Sequence, residues 1–558
     1  MKKLSTLLIM AFALVLGLTQ CKKKNVDTIA TPNNLGEAVY ITVNVGGDKH
    51  TVNPGTGEVN FENGDVIYVG NGGHYIGTLT YNGSAFSGII NGPSTADYLH
   101  FYFVGGLTPS ATPEAGTTTD FTVSIANQSS KLPVLSYGRS TDKYTTSSAT
   151  YSCTLANKCG LVKFVPAEAT SEPVRVHGMK TTATIDFANP GITPTNATGT
   201  IALYPENDEA KWAILLPQAE VSTPDGMIGK YGCTMSKVPE VTENMYYTSV
   251  NMDAYKPGML GGLFTINPGG GKVHFSQGNL QYIGSDDTPY WQFADNQYDY
   301  LRTTTGQDSD AENVDRDLFG WGTTGYQDTR TSSTGYQTNY YPYSTSNTAV
   351  GSSAPAYNIN NYGYGPDYDS SNDYGLTVAN KSDWGMHAIS NGGNTQNFGW
   401  RTLTSAEWAW VLGPSSGADP GTNCRTSSTV NNIQNARFAK ATVNSKAGVI
   451  IFPDNYTHPS GVKQPTNING YTSDYTGNSY DATQWSSMES AGAVFLPAAG
   501  YRDGTTVDYV GSDGYYWSST AYSAKYAYYV SFYSSNFNPS NRYNRYDGRS
   551  VRLVIACE

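Results

Sequence analysis

Short runs in which apolar residues occupy every second position fill the first half of the 558-residue chain. In AVYITVNV, apolar residues alternate with polar or aromatic ones from Val39 to Val45. A period of two indicates a half-buried strand, because successive side chains of a strand point to opposite faces. Comparable runs follow at short spacing with Gly and Asn turns between them, among them NGDVIYVG, YIGTLTYNG, YLHFYFVG, GLVKFVP and KWAILLPQ. We predict two small antiparallel β-sandwiches at about 36–125 and 126–252.

The N-terminus has the composition of a targeting segment. Lys2 and Lys3 precede the apolar core LLIMAFALVLGL, which is too short to span a membrane and leads into Cys21. Residues 1–20 resemble a bacterial lipoprotein signal peptide, and the resemblance implies acylation of Cys21. The alternative is an ordinary secretory signal with an incidental cysteine. Acyl chains on Cys21 would anchor the protein to a membrane, with residues 21–35 as a linker to the first domain.

Charge and cysteine spacing exclude several classes of site. The net charge is −12 and no basic stretch stands out, so nucleic acid is not an expected partner. The five later cysteines form no CxxC pair and the histidines are scattered, so we predict no metal site and no cofactor. Cys153 and Cys159 are close enough in sequence for a local disulfide, and two buried thiols are the equal alternative. The acidic run DSDAENVDRD (308–317) is expected to form a solvated loop.

The sequence changes character near residue 256. Eight of the nine tryptophans lie beyond residue 290, and KPGMLGGLF is typical of a linker that leads into a new first strand. Residues 325–379, rich in Tyr, Ser, Asn and Gly, are expected to form long surface loops. TLTSAEWAWVLGP predicts a helix with Thr404 and Glu407 as its capping box. AGVIIFP (447–453) and GAVFLPAAG (492–500) indicate buried strands.

The N-terminal half resembles the fimbrillin-like pilus subunits of Bacteroidetes. The similar segments are FENGDVIYVG and GTLTYNGSAFSG within 61–88, YSCTLANKCGLVKFV (151–165) and WAILLPQ (212–218). The resemblance implies all-β sandwiches in which a processed N-terminal strand leaves a groove for the donor strand of a neighbouring pilus subunit. The chain has no Arg before Arg139, so processing in the expected region would need a lysine such as Lys49.

The C-terminal half resembles an α+β C-type lectin fold of the bacterial branch shared with formylglycine-generating enzymes. VHFSQGNLQY, WQFADNQYDY, DLFGWGTTGY, DWGMHAISNGG, WRTLTSAEW, VFLPAAGYRDG, GYYWSST and RSVRLV occur in the family's order. The resemblance implies a ligand-binding domain at 262–558. It further implies a target of diversity-generating retroelements, with a variable region at about 515–554. Asn codons mutated at adenine yield Tyr, Ser and Asp, and these residues crowd that region.

Local alternation divides the variable region into scaffold and surface. In AYYVSFYS, Tyr528, Val530 and Phe532 share one face of a predicted strand, and Val530 and Phe532 mark it as the core face. We expect the opposite face to point outward and SSNFNPSNRYNRYDG to form a loop. Tyr, Ser and Asn there match paratope chemistry, since tyrosine supplies rigid contact area and the small polar residues adaptable hydrogen bonds. The candidate ligand-binding residues are Tyr522, Tyr526, Tyr529, Ser531, Tyr533, Asn536, Asn538, Asn541, Tyr543, Asn544, Tyr546 and Asp547.

These features predict a non-enzymatic, outer-membrane, cell-surface adhesin that binds a protein or glycan ligand, at a pilus tip among other pilus subunits. The copper-binding cysteine pair of the fold's oxidase relatives is missing, since Cys424 and Cys557 are isolated. The EPN, QPD and WND triplets of calcium-dependent sugar binders are also absent. Two alternatives stay open: a glycan-capture lipoprotein of a polysaccharide-uptake system, and a structural pilus subunit.

Overall fold

The computed structural model describes residues 36–47, 61–93, 96–117, 120–307, 314–322, 375–378, 383–414, 419–503, 506–523, 526–545 and 547–557. The predicted signal peptide, Cys21, the linker at 21–35, Lys49 and Tyr546 lie outside these ranges, as do most of the predicted surface loops at 325–379. Within the described ranges, no helix combines the length and the apolar character that a membrane crossing requires.

The N-terminal half is built entirely from strands in its described part. In chain order they are β1 (Gly36–Gly47), β2 (Val66–Asn71), β3 (His74–Tyr81), β4 (Phe86–Gly92), β5 (Tyr98–Phe103), β6 (Phe121–Ser124), β7 (Ser136–Lys143), β8 (Thr150–Asn157), β9 (Gly160–Pro166), β10 (Val174–Lys180), β11 (Thr182–Asp186), β12 (Gly191–Pro194), β13 (Thr198–Ala202), β14 (Tyr204–Pro205), β15 (Lys211–Leu215), β16 (Asp225–Ile228), β17 (Tyr231–Thr234) and β18 (Tyr246–Met252).

The first unit is a closed barrel, where the sequence pattern predicted a sandwich. Its strands follow the order β1-β4-β3-β2-β5-β7-β8, and β1 closes it by pairing antiparallel to β4 and parallel to β8. The alternation in β1 is confirmed, because Ile41 and Val43 are buried while Tyr40 is 60% exposed. Closure leaves neither edge of this sheet open along its paired length.

The predicted boundary between residues 125 and 126 does not separate the two N-terminal units. β7 and β8 lie beyond it and complete the barrel, whereas β6 lies before it and pairs with β11 of the second unit. The second unit holds the sheets β13-β10-β16-β17, β12-β11-β6 and β14-β15-β9-β18. One continuous apolar core runs from Ile41 to Met252 through both units, so no composition break marks their border.

The predicted linker after residue 256 is packed between the N-terminal half and the C-terminal domain. Leu260 is 1% exposed, and Gly261 and Gly262 are buried with it. A Cβ on Gly261 would lie 2.4 Å from the Cβ of Met227 in the second N-terminal unit, and a Cβ on Gly262 would lie 2.1 Å from the carbonyl oxygen of Gly492 in the C-terminal domain. The Gly261 N–H also donates to the Lys230 carbonyl at 2.8 Å. The glycines that looked like linker residues therefore allow close backbone contact between the two halves.

The C-terminal domain combines short strands with two helices in its described part. The strands are β19 (Phe264–Thr265), β20 (Lys272–Phe275), β21 (Leu280–Ile283), β22 (Tyr290–Phe293), β23 (Gly306–Gln307), β24 (Trp400–Thr402), β25 (Phe438–Val443), β26 (Lys446–Ile451), β27 (Ser479–Tyr480), β28 (Val494–Pro497), β29 (Tyr501–Asp503), β30 (Thr506–Asp508), β31 (Gly514–Ala521), β32 (Tyr526–Tyr533), β33 (Asn536–Asn544) and β34 (Leu553–Ala556). The helices are α1 (Ser405–Leu412) and α2 (Ala482–Glu489), and a 3-10 turn covers Trp384–Met386.

Local signals placed several of these elements correctly. Helix α1 has the predicted capping box, in which Thr404 accepts from the Glu407 N–H and Glu407 accepts from the Thr404 N–H. The predicted buried strands at 447–453 and 492–500 correspond to β26 and β28, which pair with each other. The sheet β31-β32-β33 packs with one face toward α1, and its strands β32 and β33 hold nine of the twelve candidate ligand-binding residues.

Candidate functional site: a tyrosine-rich face of the C-terminal sheet

The division of strand β32 into two faces is confirmed. Val530 and Phe532 belong to the core that contains Trp408 of helix α1. Tyr529 belongs to a different core, with Trp517 of β31 and Val551. The central strand thus separates two packed layers, because successive side chains of a strand point to opposite faces.

The expected exposure of the second face is wrong near the middle of β32. Tyr529 is 5% exposed and Ser531 is 1% exposed. The cause is a second layer over this end of the sheet: the Trp517 indole donates to the Phe319 carbonyl at 2.6 Å, and Phe319 pairs with Arg549 through its backbone. Because both faces of the central strand are covered at this point, Tyr529 and Ser531 are buried although they lie on the face opposite to Val530.

The predicted loop after β32 is also wrong, because Asn536–Asn544 form strand β33, antiparallel to β32. The register shifts between Tyr529 and Ser531, so that Tyr529 lies opposite Asn541 and Ser531 opposite Asn538. Pro539 and Ser540 occupy this bulge, which tolerates a proline because ladder pairing is interrupted there. The irregular sequence that suggested a loop is that of a bulged edge strand.

The guanidinium of Arg549 lies at the centre of this face. Its carbon is 3.9 Å from the ring centroid of Tyr529, 5.0 Å from that of Trp517 and 5.1 Å from that of Tyr515. Arg549 also donates to Asp547 at 2.7 Å, and both side chains are buried. Burial raises the pKa of Asp547 to about 6, against the lowering effect of Arg549. Cation–π contacts of this kind contribute about 0.5–2 kcal/mol each.

Partly exposed side chains surround Arg549 and Tyr529 on the same face, which we call the tyrosine face. Tyr501 stacks on Tyr509 at 6.0 Å and meets Tyr515 edge-on at 5.5 Å. Tyr509 is 53% exposed and Tyr543 is 52% exposed, whereas the remaining members are half-buried. The tyrosine face comprises Tyr501, Tyr509, Tyr515, Tyr533, Tyr543, Asn536, Asn538 and Asn541 around the buried Arg549 and Tyr529.

Other predicted site residues lie elsewhere or are buried. Tyr522 is 36% exposed, but Arg542 covers its ring at 4.0 Å and Tyr528 meets it edge-on. Tyr528 and Arg542 lie opposite each other on the Val530 side of the sheet, so this cluster is not part of the tyrosine face. Tyr526 is half-buried, with its ring 6.4 Å from that of Tyr543. Asn544 and Asp547, predicted as exposed loop residues, are 8% and 2% exposed.

Sequence reasoning missed Arg549 and the tyrosines of the preceding hairpin. Tyr501 begins β29 and Tyr509 follows β30, and both lie outside the region where Tyr and Asn are dense. Arg549 sits in RSVRLV, a segment quoted only for its resemblance to the fold. An arginine flanked by Gly and Ser near a tyrosine-rich strand could have suggested cation–π stacking, but no fixed spacing identifies it.

A buried lysine holds the turn between β32 and β33. The Lys440 ammonium donates to four carbonyl oxygens: Tyr471 at 3.2 Å, Ser473 at 2.8 Å, Tyr533 at 2.7 Å and Asn536 at 3.0 Å. Burial lowers the pKa of Lys440 to about 8. Two of its acceptors are the backbone of tyrosine-face residues, so Lys440 positions that end of the face.

The structure also decides between a disulfide and two buried thiols for Cys153 and Cys159. Cys153 and Cys159 are buried free thiols, not a disulfide, and burial raises the pKa of each to about 12. Cys557, which is distant from the other cysteines in sequence, lies beside Asp225 and His274. No metal site is expected here from the sequence, because the spacing of these three residues along the chain shows no motif.

Comparison with known proteins places the tyrosine face within a described family segment. The family model "Domain of unknown function (DUF8237)" matches residues 422–554. This segment contains the tyrosine face together with Lys440 and Arg549. No curated protein matches the chain.

Similar solved structures come from Bacteroides species. A "putative cell adhesion protein" from Bacteroides uniformis is 16% identical, with 39% of this chain and 93% of that chain covered at a TM-score of 0.29. "Putative polysaccharide binding proteins" from Bacteroides thetaiotaomicron are 13% identical, with 37% and 76% covered at 0.23. A fimbrial protein from Bacteroides ovatus is 12% identical, with 94% and 100% covered at 0.21. At these low TM-scores, the description of the site rests on this chain's own contacts.

Proposed function

We propose that the chain is a cell-surface adhesin that binds a protein or glycan ligand through the tyrosine face. In this proposal the N-terminal β units raise the C-terminal domain from an acylated Cys21 at the outer membrane. The protein has no catalytic role, and the tyrosine face acts as a recognition surface.

The observation that carries the proposal is the convergence of Tyr and Asn side chains from separate elements around Arg549. Tyr509 near the β29–β30 hairpin and Tyr543 of β33 each leave about half of their surface in solvent. Core packing does not explain this, since apolar cores bury aromatic rings rather than leave half of each exposed. Tyrosine is enriched at interface hot spots because it offers a large contact area with few rotatable bonds.

The buried layer beneath the face supports a binding role because it makes the surface rigid. Arg549 packs against the rings of Tyr529 and Tyr515, and Lys440 holds the turn that carries Tyr533 and Asn536. A surface fixed before contact loses less side-chain entropy when a ligand binds. The polar groups of Asn538 and Asn541 then supply directional hydrogen bonds at the edge of the aromatic area.

The binding test compares variants on the two sides of the same sheet. The full chain would be applied to immobilised mucin glycoproteins and to a glycan array, with retention measured for the wild type, Tyr509→Ala/Tyr543→Ala and Tyr522→Ala. The double variant should lose at least about tenfold in retention, because two exposed aromatic contacts are removed. Tyr522→Ala is the matched control, since it removes a part-exposed tyrosine from the other cluster. Equal retention of all three proteins, or loss in Tyr522→Ala alone, would rule the tyrosine face out.

Glycan capture for a polysaccharide-uptake system is a second candidate, favoured by the stacked pair Tyr501 and Tyr509. Their rings are 6.0 Å apart and nearly parallel, and the outer ring is exposed. Exposed aromatic faces can stack on sugar rings. The glycan array distinguishes this candidate, because it requires binding to glycans without a protein carrier and loss of that binding in Tyr509→Ala.

Diversification, acylation and pilus assembly are separate parts of the proposal with separate tests. Retroelement diversification requires a near-copy of the codons for about 515–554 next to a reverse-transcriptase gene, and sequencing the neighbouring DNA decides it. Acylation predicts that Cys21→Ala is released from membranes. Surface display predicts that protease added to intact cells removes the C-terminal domain. A tip position predicts immunogold labelling at fibre ends rather than along the shaft.

A further inference from the structure

Three side chains with metal-ligating atoms meet where the second N-terminal unit contacts the C-terminal domain. Asp225 begins strand β16, His274 lies in β20, and Cys557 follows β34 at the end of the described chain. One ligand atom of each lies within 4.8 Å of the other two. His274 is 2% exposed, and the other two residues are half-buried. The cluster shares no residue with the tyrosine face.

The imidazole of His274 is oriented as a metal ligand would be. Its Nδ1 lies 2.8 Å from the carbonyl oxygen of Leu260, which can only accept a hydrogen bond. The Nδ1 therefore carries a proton, and Nε2 is turned toward Asp225 Oδ2 at 3.0 Å. A backbone carbonyl bound to the second ring nitrogen is the usual way that proteins fix the orientation of a metal-binding histidine.

The separations of the sulfur and the nitrogen from the Asp225 oxygen are close to those at a tetrahedral ion. With metal–sulfur bonds of about 2.3 Å and metal–oxygen and metal–nitrogen bonds of about 2.0 Å, tetrahedral Zn²⁺ separates sulfur from oxygen by about 3.5 Å and nitrogen from oxygen by about 3.3 Å. The Cys557 Sγ is 3.6 Å from Asp225 Oδ2, and His274 Nε2 is 3.0 Å from it. These two separations are within about 0.1 Å and 0.3 Å of the tetrahedral values, and the sulfur lies within 4.8 Å of the nitrogen.

The same geometry does not suit a cysteine nucleophile. A Cys-His-Asp relay places the thiol at one ring nitrogen and the carboxylate at the other, so that the acid orients the base. In this protein the Leu260 carbonyl occupies Nδ1, and Asp225 takes the other nitrogen and also contacts the thiol. The carboxylate and the sulfur thus lie on the same side of the imidazole, near Nε2. A single cation bound there would have both groups as ligands.

An adjoining cavity gives the site access to solvent. It measures about 310 Å³ and is lined in part by Asp225, Asp253, Lys256, His274 and Cys557. This volume admits an ion and leaves room for water as a fourth ligand. Asp253 is held away from the cluster in part by Thr234, whose hydroxyl donates to it at 2.6 Å, so it is not counted among the ligands.

We propose that Asp225, His274 and Cys557 form a Zn²⁺ site that ties the C-terminal domain to the second N-terminal unit. Thiolate, imidazole and carboxylate together suit Zn²⁺ better than Ca²⁺ or Mg²⁺, which prefer oxygen ligands alone. The ligands come from both sides of the junction, so bound metal fixes the orientation in which the tyrosine face is carried.

The test uses the full chain purified in detergent, stripped of metal by chelator and titrated with Co²⁺ and then Zn²⁺. The wild type should bind one Co²⁺ per chain with the near-ultraviolet sulfur-to-cobalt absorption that a thiolate ligand produces, and Zn²⁺ should displace it. Cys557→Ser should lose that absorption and bind Zn²⁺ at least about tenfold more weakly. Asp225→Asn should keep the absorption but also bind at least about tenfold more weakly.

Cys233→Ala is the matched control, because Cys233 is a buried thiol on the neighbouring strand β17 and pairs with Gly226 beside Asp225. It should bind Co²⁺ as the wild type does. Melting curves provide a second measurement: Zn²⁺ should raise the melting temperature of the wild type and of Cys233→Ala but not that of Cys557→Ser. The proposal fails if the wild type binds no stoichiometric Co²⁺, if Cys557→Ser titrates like the wild type, or if Cys233→Ala alone abolishes the absorption.

Discussion

Replacing Tyr529 by alanine should destabilise the C-terminal domain strongly, although this residue was selected from sequence as an exposed contact. Its ring is 95% removed from solvent, meets Trp517 edge-on at 5.9 Å and lies 3.9 Å beneath the Arg549 guanidinium. Truncating a buried aromatic residue to alanine costs about 3–5 kcal/mol. Because the cation–π contact with Arg549 is lost as well, we expect a cost in the upper part of that range. We expect a loss of about 4 kcal/mol in the free energy of unfolding.

Tryptophan fluorescence can follow this loss of stability, because it reports mainly on the C-terminal domain. Eight of the nine tryptophans lie beyond residue 290, so the urea transition seen by their emission belongs mainly to the C-terminal domain. With a slope on the order of 2–3 kcal/mol per M urea, the midpoint should fall by about 1–2 M.

Tyr543→Ala provides the comparison, since its ring is 52% exposed on the same face. A surface truncation of this kind should cost no more than about 1 kcal/mol. The two variants therefore separate packing from recognition: Tyr529→Ala loses stability, whereas Tyr543→Ala loses ligand retention at nearly unchanged stability. Equal midpoints for the two variants would refute the burial of Tyr529 and with it the layered structure described for this face.

Three further predictions concern the support of the face and the domain junction. Lys440→Met leaves four carbonyl oxygens without their buried donor, so the urea midpoint should fall by an amount equivalent to about 2–4 kcal/mol, and amide exchange at the β32–β33 turn should accelerate. Burial holds the folded-state pKa of Asp547 at about 6, above its unfolded value of 3.8, so the free energy of unfolding should fall by about 2–3 kcal/mol as pH rises from about 4 to about 6. Urea midpoints between pH 4 and pH 7 should show this step in the wild type and not in Asp547→Asn. Gly262→Ala places a methyl group 2.1 Å from the Gly492 carbonyl, so calorimetry should show a destabilisation of about 1–3 kcal/mol, and an unchanged transition would contradict the close approach of Gly262 to Gly492.

Sequence patterns predicted the elements well where the signal was local. The capping box of Thr404 and Glu407 defined helix α1, and alternation from Val39 to Val45 defined strand β1, because each depends on neighbours within one turn or one strand. The pattern also assigned Val530 and Tyr529 to opposite faces of β32. It did not predict that both faces are covered, since the covering segment around Phe319 is about 200 residues away in sequence.

The remaining features depend on contacts between distant segments. Strand β33 was predicted as a loop because its bulge and Pro539 break the alternation, while its pairing with β32 restores the strand. Arg549, Lys440 and the cluster of Asp225 with His274 and Cys557 each join segments that carry no common motif. The C-type lectin resemblance of this half stays a prediction.

The closure of the barrel by β1 has a consequence for the order in which the protein can fold. Thr42 pairs with Thr150, so β1 cannot complete its pairing until β8 has been made. Contacts of such long sequence separation form slowly, and until then the edge of β1 that β8 will cover is open to other strands. The interposed strand β6 belongs to the second unit, which ties the two units into one folding event.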